Sequence, residues 1–133
     1  MADPIIYTPE QCNALLPWLR IRLEELKSAA VDLRQAQGVV QGITRQARGN
    51  GHHDLSGALS AAERAAADGL ARAQGLLKEI NDRGIQVRDV EGGLVDFPGQ
   101  MDGRPIWLCW KLGEPSVTHW HDYDKGFSSR QPL

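Results

Sequence analysis

The chain has 133 residues, with 15 Lys and Arg against 17 Asp and Glu and a formal net charge of -2. That length fits one domain with a modest core. Charges of both signs are interleaved, which excludes the general cationic pull that nucleic acid or anionic lipid would need, so neither partner is expected.

The chain opens on MADPIIYTPEQ, with an acid where a signal peptide would carry base and no long apolar run behind it. No later stretch approaches the roughly 20 apolar residues that cross a bilayer. We therefore expect a cytoplasmic protein. Its only cysteines, Cys12 and Cys109, lack CxxC spacing and read as two reduced, buried thiols.

Thr8-Pro9-Glu10-Gln11 spells a helix start, with Thr8 as N-cap, Pro9 in the first turn and Gln11 closing a capping box. Apolar positions follow at Cys12, Leu16, Leu19, Leu23, Leu26, Ala30, Leu33 and Val40, the stripe of a helix packed along a partner helix. Pro17 predicts a bend within it. Residues 48–53 (RGNGHH) predict the tip of a hairpin, and Asp54 can cap a second helix. That helix carries Leu55, Leu59, Ala62, Ala66, Gly69, Ala73, Leu76 and Ile80, so its seam is built of small residues that permit close approach. Gly84 supplies a left-handed stop. Helices of about 40 and about 30 residues differ by roughly 15 Å, leaving the turns from Cys12 to Leu19 uncovered.

After Gly84 the pattern changes. Residues 85–90 alternate apolar and polar, Gly92-Gly93 turns the chain, and residues 94–97 read as a strand closed by Pro98. A loop at 99–103 leads to Pro105-Ile106-Trp107-Leu108-Cys109-Trp110, apolar on both faces and so a central strand covered twice. Residues 113–116 turn again, and residues 117–121 pair back. The tail carries Tyr123, Phe127 and Leu133 and is expected to pack down. The fold class is α+β: residues 8–84 a long antiparallel, coiled-coil-like helical hairpin, and residues 85–133 a small antiparallel β-meander with its tail, in one domain spanning 1–133.

The segments GLVDFP, GRPIWLCWKLGE and WHDYDKGFSSRQPL resemble a prokaryotic family catalogued as a domain of unknown function, number twenty-two-oh-three, and the start TPEQCNALLPWL is also similar. The match falls on Asp96, Phe97, Pro98, Arg104, Leu108, Cys109, Trp110, Gly113, Glu114, Trp120, His121, Asp124, Gly126, Phe127 and Arg130. His119 lies outside the pattern. The resemblance implies no activity.

Two chemistries can be read in this block. His119 and His121 share one face of a strand and, with Asp124, offer the imidazole and carboxylate ligands of a divalent transition metal such as zinc, iron or manganese. The structural alternative is a satisfied pair, His121 bonding Asp124 or a backbone carbonyl. Separately, Asp96, Arg104, Arg130 and Trp110 can line a pocket for a small anionic ligand, the guanidiniums acting as forks. Against that stands the pairing of Arg with Asp to pin turns of a small sheet. Cys109 lies between two tryptophans, where a thiol stays neutral, so no catalytic residue is assigned. The functional expectation is a non-enzymatic binding or scaffold protein presenting a surface on its β-module, with a metal-binding protein as the alternative. Ile21, Val31, Leu70 and Leu77 lie outside the hairpin seam, which predicts a homodimer through the helices.

Overall fold

A computed structural model describes residues 4–49 and 55–133. In chain order it contains α1 (Pro9–Gly49), α2 (Ser56–Asn81), β1 (Gln86–Asp89), β2 (Leu94–Met101), β3 (Arg104–Lys111), β4 (His119–Asp122), a short 3-10 helix (Phe127–Ser129) and β5 (Gln131–Pro132). Asp54, the expected cap, and most of the expected tip, His52 and His53 included, lie outside the described residues.

The start of α1 is a reciprocal capping box. The Gln11 amide donates to Thr8 Oγ1 at 3.2 Å, and the Thr8 amide donates to Gln11 Oε1 at 2.9 Å. The helix runs unbroken through Pro17, which stands on its exposed side. Along the seam, α2 crosses α1 at Gly69, where a Cβ would stand 3.3 Å from Leu33 backbone atoms. The small-residue stripe is therefore what lets the two backbones meet. At 41 and 26 residues the helices differ by about 22 Å, more than expected, because α1 extends to Gly49 while α2 begins only at Ser56.

The five strands form one antiparallel sheet in the order β1-β2-β3-β4-β5. The structure corrects the expectation that Pro98 ends its strand. β2 continues to Met101, which pairs with Arg104, so the hairpin loop shrinks to Asp102 and Gly103, both at positive φ. Proline is tolerated because β1 pairs with β2 only from Leu94 as far as Asp96. Beyond that point the side of β2 facing away from β3 is open, and there the Pro98 carbonyl accepts the Tyr7 amide at 2.8 Å.

The inner face of the sheet roofs the surplus turns of α1. Cys12, Leu16, Leu19, Leu23 and Leu26 join Ile80, Val95, Phe97, Ile106, Leu108, Trp110 and Trp120 in one buried cluster. At roughly 1.5–3 kcal/mol per large apolar side chain removed from water, this contact dominates the stability of the fold. Polar clips fix its position: the Val117 amide donates to Asn13 Oδ1 at 2.8 Å, and Arg20 donates to the Pro115 carbonyl at 3.1 Å. Leu77 packs against the cluster, whereas Ile21, Val31 and Leu70 stay exposed. The tail adds β5 beside β4, but Tyr123, Phe127 and Leu133 remain exposed, so its pairing is mainly through backbone and ionic contacts.

Candidate functional site

Strand alternation sends Ile106, Leu108 and Trp110 of β3 inward and leaves Trp107 and Cys109 on the outer face. The register then decides their company. Asp96 of β2 lies directly opposite Cys109, and His121 of β4 lies opposite Trp107, diagonal to Cys109. Asp96, Cys109 and His121 are only 3%, 1% and 2% exposed. One ligand atom from each, a carboxylate oxygen, the thiol sulfur and an imidazole nitrogen, lies within 4.8 Å of the other two.

Hydrogen bonds orient this cluster. His121 Nδ1 lies 2.9 Å from the Asp122 backbone carbonyl, an acceptor only, so Nδ1 carries a hydrogen and donates it. Nε2 is thereby aimed at Asp96 Oδ1, 3.0 Å away. Arg88 Nε donates to the other carboxylate oxygen, Oδ2, at 2.9 Å, and its guanidinium lies over the Trp107 ring. One proton must occupy the contact between Nε2 and Oδ1, since neither a bare imidazole nitrogen nor a carboxylate oxygen can donate there. A strand-spanning chain of Arg88, Asp96 and His121 results, with Cys109 beside it.

Burial pushes the Cys109 thiol up to about 11; the negative charge of Asp96 pushes the same way and a hydrogen bond from Arg130 opposes both. On the inner side of the sheet, burial pushes the Cys12 thiol up to about 12. Both are free thiols, neutral near pH 7 and poor nucleophiles as they stand. Beside Cys109, Arg130 forks onto Glu114, with Nη1 3.2 Å from Oε1 and Nη2 3.0 Å from Oε2. Burial alone raises the Glu114 carboxyl, but hydrogen bonds from Arg130 and the Lys111 amide outweigh it, and the net shift is downward.

Of the expected metal ligands, only His121 is in the cluster. His119 stands opposite Cys109, but its Nδ1 bonds Thr118 Oγ1 at 2.9 Å. Asp124 is exposed in the turn after β4. The four residues expected around an anion are divided between the sheet's two faces and its rim. Trp110 is buried in the inner core and donates to the Glu114 carbonyl at 3.0 Å. Arg104 is paired with Asp122 at 2.6 Å, Arg130 with Glu114 and Asp96 with Arg88. Each guanidinium thus has its own carboxylate: the Arg88–Asp96 and Arg104–Asp122 pairs bridge neighbouring strands, and Arg130–Glu114 ties the tail to the turn after β3. Asp96, expected beside an anion, and Cys109, expected as an inert thiol, are the residues that join His121 in the cluster. Once β2 and β3 are in register, their same-face positions within VDFP and LCWK are the signal that would have found them.

The model of a family described as "Uncharacterized conserved protein (DUF2203)" matches residues 5–133, and the chain belongs to that family. No curated protein and no solved structure matches it.

Proposed function

We propose that this member of the DUF2203 family binds one divalent transition-metal ion through Asp96, Cys109 and His121 on the outer face of its sheet. The observation that supports this is the convergence of three chemically different ligand atoms on buried side chains. The orientation of His121 fits a ligand: its Nδ1 hydrogen is tied to a carbonyl, which fixes the tautomer with Nε2 turned to the ion. Arg88 performs the matching outer role for Asp96. The ion would replace the proton between Nε2 and Oδ1. A thiolate, an imidazole and a carboxylate suit zinc, cobalt or ferrous iron, whereas magnesium and calcium prefer oxygen alone. Three protein ligands leave a fourth position for water or a small anion.

With the thiol proton held up to about 11, the ion must displace it, so uptake releases protons and strengthens as pH rises. Elemental analysis of purified protein tests the reading, together with titration of metal-free protein by Co(II), whose thiolate bonds give a near-ultraviolet charge-transfer band. One equivalent is expected in the wild type, with loss of both ion and band in His121→Ala. Protein free of metal after growth in zinc, iron and manganese, and showing no band with Co(II), would overturn it.

A second reading, a binding or scaffold surface on the β-module, is favoured by the exposure of Tyr123, Phe127 and Leu133 along the tail. Exposed Ile21, Val31 and Leu70 favour a homodimer through the helices. Sedimentation at micromolar concentration tests the dimer, and a monomer mass removes it. No helix among the described residues is long and apolar enough to cross a membrane.

A further inference from the structure

We infer that residues 123–130 form a strap over Cys109, and that the Arg130–Glu114 latch sets how fast this thiol, and an ion bound to it, exchange with solvent. Exchange of the ion presupposes the proposed metal site; exchange of the thiol does not.

The strap leaves the end of β4, runs along β3 from Trp107, where Tyr123 stacks, toward Lys111, where Phe127 lies, and returns as β5. Its attachments are few. Tyr123 stacks on Trp107, with ring centroids 4.8 Å apart, and its carbonyl accepts the Trp107 indole N–H at 3.2 Å. Phe127 lies between two cations, Arg130 at 4.3 Å and Lys111 at 5.7 Å from its ring centroid. Arg130 is the latch: it forks onto Glu114, and it lies near enough to Cys109 to oppose the upward push of burial on that thiol. Beyond it β5 has two residues, and the Leu133 amide donates to the Thr118 carbonyl at 2.9 Å. No residue from 123 to 133 is buried.

A segment with little buried apolar surface and solvent-facing hydrogen bonds opens at low free energy, well below that of global unfolding. Cys109 is therefore concealed by something that lifts easily. Cys12 is concealed differently, at 0% exposure inside the cluster that joins α1 to the sheet, where access requires the two to separate. The two thiols form a matched pair within one chain: both buried, both neutral, one under the strap and one under the core.

Native-state labelling by a small disulfide reagent, with each site read by mass spectrometry on metal-free protein, tests the inference. Cys109 is expected to react well before Cys12. Glu114→Gln keeps an oxygen for the Lys111 amide but drops the charge that holds Arg130, and should speed Cys109 labelling about tenfold, as for loss of a partly buried fork. Phe127→Ala, at an exposed position, should speed it roughly threefold. Cys12 labelling should stay within about twofold in both variants, since local opening leaves the core closed. Equal rates at the two cysteines, or a Cys109 rate unmoved by either substitution, would overturn the strap. Acceleration at both cysteines together would mean general destabilisation and would overturn it as well. In Co(II)-loaded protein chased with EDTA, Glu114→Gln should speed release by the same factor as labelling, and an unchanged release rate would refute control of ion exchange by the latch. A wild type that takes up no Co(II) removes the metal site and its exchange together, while the labelling result still decides the strap.

Discussion

The two faces of β3 are built from adjacent residues and held by opposite physics. Inward, Ile106, Leu108 and Trp110 press on the turns of α1 from Cys12 to Leu26, and the contact is non-directional and apolar. Outward, Trp107 and Cys109 sit beside Asp96, His121 and Arg88, where each polar atom depends on one partner at a set distance. No buried side-chain nitrogen or oxygen among the described residues lacks a partner. The inner face is expected to tolerate approximation and resist loss of volume. The outer face is expected to resist loss of one partner and tolerate replacement of both.

Substitutions separate the two modes. The largest effect is expected at Trp110, fully buried and paired across from Val95: Trp110→Ala should cost roughly 3–5 kcal/mol in urea unfolding, and a cost under 1 kcal/mol would mean the roof is not the main core. On the outer face, His121→Leu should cost about 3 kcal/mol, because Asp96 keeps its charge in a closed site with only Arg88 beside it. The double variant Asp96→Leu with His121→Leu should recover most of that loss in metal-free protein, since removing both partners leaves only Arg88, which is 42% exposed and can turn to water. Additive losses would show that shape, not ionic pairing, governs this face.

Alkaline pH probes one thiol on each face. Above about pH 9 the unfolded chain releases thiol protons that the folded chain retains until about 11 at Cys109 and about 12 at Cys12. Stability therefore falls as pH rises, by about 1.4 kcal/mol per pH unit for each thiol within its window. Cys12→Ala should flatten that slope through to pH 12, and Cys109→Ala only to about 11; identical curves would erase the distinction between the faces. The smallest effect belongs to the rim, where Arg104 and Asp122 are both substantially exposed. Arg104→Ala should change stability by no more than about 0.5 kcal/mol, measured by thermal melting.

Much of this molecule is determined locally. The capping box at Thr8, the four-and-three spacing of α1, the small seam around Gly69 and the two-sided strand at 105–110 each follow from neighbours within a few residues, and the arithmetic of unequal helices predicts that something must cover Cys12 to Leu19. Pro98 escapes that logic, because whether a missing N–H matters depends on which side of β2 is occupied, and β1 stops short of it. The candidate site escapes it more completely. Sequence proximity groups His119, His121 and Asp124 within six positions, yet the cluster draws on residues 96, 109 and 121, and His119 turns to its own neighbour Thr118. Local spacing sets which face a side chain occupies; cross-strand register sets whom it meets there, and register is fixed only when the whole sheet closes against the helices.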